Sequence, residues 1–544
     1  MLKPTLIPNV PRDTKRVTRT ILPNGNSVTR LRDEFGSIYV DTDFATLFSH
    51  TGQPALAPWR LALITVFQFL ENLSDRQAVH AVLTRIDWKY ALSLKLTDSS
   101  FDHTVLSEFR ARLVKGDQQQ LLLDKMLEAF NAKGLLKTRG RQRTDSTHIL
   151  SSVRVMTRLE HVTETLRAAL NALSTHHPEW TQRIAPTEWF ERYGKRAEEY
   201  HLPRGKQARE DFIARVGDDG YALLEWLKAS AAPTGAAQLP AVDALRRMWT
   251  LEYIRENGRT RWREGNEVGA ARERFNSPYD VEAHHGMKGA RGWDGYKVHF
   301  TETCDSETPN LITNVLITRA TMTDVECTQD IQAALTIKGF APKDHLVDSG
   351  YISARLLVSS RDRGTNLIGP PRPAQGWQAH TEGAFDLTKF KVNFKQKQVT
   401  CPRGKKSISW KEKPKRHQIS VRFKPADCLH CKSRVLCLKT AGVSRTLTFQ
   451  PEEEFKILHA QRRLSKSPKW REVFNARAGI EGSFSQGVRG LGLRRSRYRG
   501  EARTGLHCIG VATAMNVGRV GAWLAGDTRA VTRVSRFAAL QVMA

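Results

Sequence analysis

Three carboxylates and four thiols stand where their types and spacing could do chemistry. Asp145 sits in "RTDSTHI", Asp348 follows the apolar pair Leu346 and Val347 in "HLVDSGY", and Glu481 lies between glycines in "NARAGIEGSFSQGVRG". Ligands of open α/β sheets gather at the carboxyl ends of strands, where Asp348 should emerge. If the strand of Asp145 pairs beside that one, two carboxylates meet, and a helix packed across the strand ends would bring Glu481 to them. Acids this close raise one another's pKa unless a cation neutralises them. Magnesium suits such a place, because a hard cation binds through a few carboxylates and leaves room for a substrate phosphate. Plainer roles stay open for each acid. Asp145 and the "DSG" at 348 are also ordinary turn residues, and Glu481, four residues after Arg477, could form an intrahelical pair worth a few tenths of a kcal/mol.

The thiols are Cys401 in "CPRG" and Cys428, Cys431 and Cys437 in "CLHCKSRVLC". A C-x-x-C turn presents two thiolates to one tetrahedral ion, and two more can complete a structural zinc site, with His417 or His430 able to replace one. The alternative is a set of reduced cysteines. Residues 391 to 439 hold 15 Lys or Arg against two acids, Glu412 and Asp427. Zinc would staple a basic segment with little hydrophobic sequence of its own, one expected to touch DNA rather than perform chemistry.

The elements that position these groups follow from pattern. The chain has 544 residues, 40% hydrophobic and 26% charged, enough for several units, and no apolar run long enough to span a bilayer. Its start, "MLKPTLIPNVPRDTKR", does not read as a signal peptide, so a cytoplasmic location is expected. Lys and Arg total 85 against 56 Asp and Glu, a net charge of +29 that draws polyanions, with nucleic acid the first candidate and no amphipathic helix inviting a membrane. Seven cysteines are few and odd in number, against a secreted disulfide framework.

Residues 1–50 read as an arm, and 51–137 as short helices. Within these, "SSFDHTVLSEFRARL" offers caps and a helix from about Thr104 to Leu113 carrying Arg110 and Arg112, as a helix-turn-helix reader or a plain bundle would. Residues 138–157 hold the Asp145 strand and 158–275 a helical insertion. Residues 276–370 alternate strands and helices as in a mixed α/β sheet covered by helices. A basic Cys-rich insertion (371–450), the last helices with Glu481 (451–525) and a tail (526–544) complete the chain.

The blocks "RTDSTHI", "HLVDSGYISARLLV" and "ARAGIEGSFSQGVRGLGLRRSRYRG", in that order, resemble the DDE transposases of bacterial insertion sequences, best the IS eleven-eighty-two group within the wider IS four and IS five type assembly. The N-terminal "LENLSDRQAVHAV" and "SSFDHTVLSEFRARL" are similar to the same proteins. The resemblance implies an RNase H-like catalytic core with Asp145, Asp348 and Glu481 as catalytic and metal-holding acids, preceded by an all-α DNA-binding domain. It implies two Mg2+ ions, for which Mn2+ can substitute. It further implies that an aromatic, an arginine, the glutamate and a basic residue follow one another along one helix. Arg477 fits that pattern, whereas Phe474 stands where relatives carry tyrosine and Val488 at the usual lysine position, beside Arg489.

Two ions about 4 Å apart can activate a water or hydroxyl and stabilise the leaving oxygen of an in-line displacement at phosphorus. The implied activity is cleavage at the element's terminal inverted repeats and joining of the freed ends to target DNA by a homodimer. Arg477, Arg489, Arg494, Arg495, Arg497 and Arg499 are candidate phosphate contacts, or else a solvated basic loop, and the helix with Arg110 and Arg112 is the candidate reader of bases. The rival readings are a metal-dependent nuclease that does not join strands and a catalytically silent DNA-binding relative.

Overall fold

The computed structural model describes residues 1–372, 376–440 and 443–527, so the expected tail lies, from residue 528 on, outside the described residues. At its centre is a six-stranded mixed sheet. The Asp145 strand, Arg141–Leu150, pairs antiparallel with the long strand Arg291–Thr303 on one side and parallel with Asp344–Leu346 on the other. Asn366–Ile368 continues the parallel side, while His284–Lys288 and Ile312–Arg319 both pair antiparallel with Arg291–Thr303. The three longest strands are thus antiparallel neighbours, followed by two short parallel ones. Helices Asp324–Ile337 and Ala354–Asp362 cross between the parallel strands, as parallel connections require.

Period-two alternation places Arg143 and Asp145 on one face of their strand and Gln142, Thr144 and Ser146 on the other. Both faces are covered. On the second face Thr144 Oγ1 meets His345 Nε2 at 2.7 Å and Gln142 Nε2 donates to the Phe340 carbonyl at 2.7 Å. On the first lies helix Gly479–Gly490, which carries Glu481.

The first fifty residues are not an arm. They form helices Arg12–Ile21 and Ser27–Phe35, and bury Val28, Leu31, Tyr39 and Phe44 in the main core. Nor does the helical block stand apart, because its helices share that core with the sheet. The last helix, Glu501–Leu524, makes the join. It is apolar nearly all round, as a central helix must be, and it packs on helices Ser27–Phe35, Pro58–Leu70 and Leu121–Ala132 and on strand Ile312–Arg319. Close approach depends on its glycines: a Cβ on Gly510 would lie 2.4 Å from the Phe69 ring.

Two insertions have their own cores. In 158–275, helices Arg158–His176, Lys206–Trp226 and Pro240–Glu252 enclose Leu166, Trp180, Trp189 and Trp249. Thr157 and Glu160 cap the first of these reciprocally. In the basic insertion, strands Ser407–Lys413, Gln418–Phe423 and Thr446–Phe449 bury Phe390, Val399, Val421, Phe423, Leu447 and Phe449. That apolar set corrects the expectation of a segment without a hydrophobic core. Among the described residues no helix is long and apolar enough to cross a membrane.

Candidate active site

Asp145 and Asp348 emerge from neighbouring parallel strands. The pairing of Arg143 with Leu346 puts Asp145 two residues on and Asp348 two residues beyond the partner strand's end. Asp348 caps the short turn Ser349–Tyr351, accepting from the Gly350 amide at 2.8 Å. Asp145 is nearly buried, and burial pushes its carboxyl above the usual range, with the neighbouring charge of Asp348 adding to the rise. The Arg477 guanidinium opposes both, donating from Nη2 to Asp145 Oδ2 at 2.6 Å.

The expected single helix from Phe474 to the basic residues is broken. Helix Pro468–Asn475 carries Phe474, a 3-10 turn Ala476–Ala478 carries Arg477, and a new helix starts at Gly479. The break is tied to the sheet, because Arg143 Nη1 donates to the Ala476 carbonyl and its guanidinium lies against Gly479, where a Cβ would come within 2.1 Å of it. Gly479 therefore makes room for a protein side chain, whereas a Cβ on Gly482 would meet nothing within 4 Å. Glu481 points outward with its side chain 70% exposed, joined to Arg477 Nη1 at 3.7 Å.

Beneath the site runs a buried ionic network. Glu302, fully buried on Arg291–Thr303, pairs with Arg143 at 2.6 Å and Arg519 at 2.8 Å, and accepts from Ser483 Oγ at 2.6 Å. It fastens the Asp145 strand, the Glu481 helix and the last helix together. Sequence reasoning missed it, and missed Asp324. The Asp324 carboxylate accepts from Ser146 Oγ at 3.3 Å and pairs with Lys297 at 3.4 Å. A Cβ on Gly350 would lie 2.9 Å from Asp348 Oδ1 and 3.1 Å from Asp324 Oδ2, so these two acids flank one glycine. Buried Tyr351, bonded to His299 Nδ1 at 2.6 Å, has its phenol pushed well up by burial and by the charges of Asp324, Asp145 and Asp348. The one signal for Asp324 was its place in "TDVE", which reads as helix capping.

The basic candidates divide. Arg110 is buried and bonded to Asp75 Oδ2 at 2.6 Å and Gln68 Oε1 at 3.2 Å, so the expected base contact is instead an internal support. Arg497 is likewise engaged, donating to the Leu73 carbonyl at 2.6 Å and covering the Phe69 ring. Arg494 donates to the His148 carbonyl, and Arg499 reaches the Ser152 carbonyl at 3.3 Å and stacks on Tyr279. Arg112 lies over Phe48 and beside Glu108. Arg489 and Arg495 are exposed, and their guanidiniums make no hydrogen bond or ion pair among the described residues.

The family model described as a transposase DDE domain matches residues 400–520, and that described as a transposase domain (DUF772) matches residues 17–112. Both matched regions carry transposase descriptions, which supports a DDE transposase of insertion sequences. A comparison with curated proteins finds no match. The first matched region holds Glu481, the broken helix and most of the last helix; the second holds most of the helical block.

DDE transposases work with divalent metal, and the donors here suit one. Asp145 and Asp348 are neighbouring hard oxygen donors, and Arg477 stands in for part of the positive charge they call for. As placed, no group of three acid, imidazole or thiol side chains among the described residues is set to hold one ion. The same holds for the cysteines. Cys401, Cys428, Cys431 and Cys437 line one small apolar-walled cavity, and the Cys437 thiol is pushed up by burial and by the other three, yet they form no ready site. No role is assigned to zinc.

Proposed function

We propose that this transposase binds the terminal inverted repeats of an insertion sequence, cleaves the phosphodiester at each end and joins the freed hydroxyls to target DNA. The observation that carries the reading is the placing of Asp145 on one strand and Asp348 just past the end of the adjacent parallel strand, with the Glu481 helix packed across the Asp145 strand and linked to it through Arg477. The order of antiparallel and parallel strands supports an RNase H-like core. The quoted blocks favour the IS eleven-eighty-two group.

Asp145, Asp348 and Glu481 would hold the metal. Divalent ions bound there supply charge to activate the attacking water or hydroxyl and to steady the leaving oxygen. The chain's own part is to place the phosphate. Arg489, at the end of the Glu481 helix, and Arg495, beside the end of the Asp145 strand, have guanidiniums available to backbone oxygens. The solvent face of helix Thr104–Lys115, with Ser107, Glu108, Ala111, Arg112 and Lys115, offers a surface to a groove. Two ends need two sites, hence a homodimer on DNA.

The test is a labelled end-containing duplex incubated with the protein and Mg2+. Both cleaved and joined products are expected; Glu481→Gln should lose both and still bind the end. Cleavage without joining would make it a nuclease, and activity surviving Asp348→Ala would sink the assignment.

A further inference from the structure

Arg477 is placed unlike a phosphate-binding arginine. Its side chain is 16% exposed, with one nitrogen 2.6 Å from Asp145 Oδ2 and the other 3.7 Å from Glu481 Oε1. It spans the strand acid and the helix acid that a shared cation would have to span. Its Nε is buried with no hydrogen-bond partner among the described residues. An unsatisfied buried donor is unfavourable, so this geometry serves the two carboxylates at the expense of the guanidinium. Glu481, by contrast, is open to solvent, with its side chain 70% exposed.

We propose that Arg477 is a positioning residue that acts as the resident cation of the free protein, holding Asp145 and Glu481 until a divalent ion displaces it. Metal and guanidinium then compete for the same oxygens. Binding of the ion releases Arg477 toward solvent, where a DNA phosphate can receive it. This rests on the reading of the three acids as the metal centre. It goes beyond that reading by making metal loading and arginine release one equilibrium.

The experiment measures Mn2+ binding from the free-ion paramagnetic resonance signal, without DNA and without turnover. Removing the competitor should tighten binding: Arg477→Gln is expected to lower the dissociation constant by about 5- to 150-fold, the usual span for two coupled ligands. Arg477→Lys, which keeps the charge but not the fork, should fall between it and the wild type. In the wild-type protein, Mn2+ should raise labelling of Arg477 by phenylglyoxal, read by peptide mass spectrometry, and should not do so in Asp348→Ala. Unchanged or weaker Mn2+ binding in the glutamine and lysine variants overturns the proposal. So does labelling of Arg477 that ignores Mn2+, a readout that stands even if Arg477→Gln fails to fold. If the wild-type chain binds no Mn2+, the metal-centre reading falls as well; if it binds and only the variants disagree, that reading survives and the competition alone is refuted.

Discussion

Gly479 and Gly482 offer a paired experiment in which the same substitution should have opposite effects. Both lie in helix Gly479–Gly490, and the backbone at Gly479, with φ −61° and ψ −20°, accepts alanine without strain. Alanine is favoured over glycine inside a helix by about 1 kcal/mol. Gly482→Ala meets nothing within 4 Å and should take most of that gain. Gly479→Ala drives a methyl to within 2.1–2.7 Å of three atoms of the Arg143 guanidinium, which Glu302 and the Ala476 carbonyl hold in place. Breaking a buried pair costs about 3–5 kcal/mol. Arg519 still neutralises Glu302, and the helix gain offsets part of the loss, so a net cost of about 2–3 kcal/mol is expected. Because several cores share the chain, a single unfolding midpoint is not well defined. Hydrogen exchange at amides of the Gly479–Gly490 helix reads the local opening energy instead. Protection should rise in Gly482→Ala and fall in Gly479→Ala. Equal or greater protection in Gly479→Ala would refute the claim that Arg143 is locked against this helix.

Arg110→Met should lower the stability of the helical block by about 3 kcal/mol, by leaving Asp75 without its guanidinium, and alter end-sequence preference little; lost preference in a still-folded variant would restore Arg110 as a base reader. Arg489→Ala should weaken DNA binding evenly across sequences and reduce the salt slope of log affinity by about 1, checked by binding titrations at several salt concentrations. His161, His345 and His507 are buried neutral, each lowered to about 4 by burial. As pH falls from 6.5 to 4 the unfolded chain takes up protons that the folded one refuses, so stability is intact above 6.5 and drains through that window. The loss approaches about 3 kcal/mol per histidine at its acid end; replacing His507 with Gln and repeating the acid melt should narrow it. A chelator should leave hydrogen exchange at Val421 and Leu447 unchanged, since an apolar core holds the basic insertion; lost protection would mean that a metal on the four thiols is what folds it.

What could be read from the sequence was what repeats locally. "GYKVHFTETC" and "PNLITNVLITRA" are rich in β-formers and became strands, and the apolar step before Asp348 marked a strand end. "HHGMK" lacks that pattern, and its strand exists because the long neighbour offers a free edge. The ionic network was invisible because its members are far apart: Glu302 meets Arg143 across 159 positions and Arg519 across 217. Arg110 looked like a surface base because it is itself charged and Arg112 follows two residues on; its burial is decided by Asp75 and Gln68, 35 and 42 residues away. Arg477 keeps Glu481, four residues on, as a partner at 3.7 Å although the helix breaks between them, but its nearer partner, Asp145, lies 332 residues away.

The shared core also sets an order of events during synthesis. Val28, Phe67 and Leu122 near one end share a core with Val511 and Val517 near the other, and their helices pack on the last helix, so the helical block cannot complete its core until residue 524 has left the ribosome. At about 5–20 residues per second that wait lasts roughly 20 to 80 seconds. The nascent block passes that interval with apolar surface uncovered, and its helices and the carboxylates take their final places in one closing step.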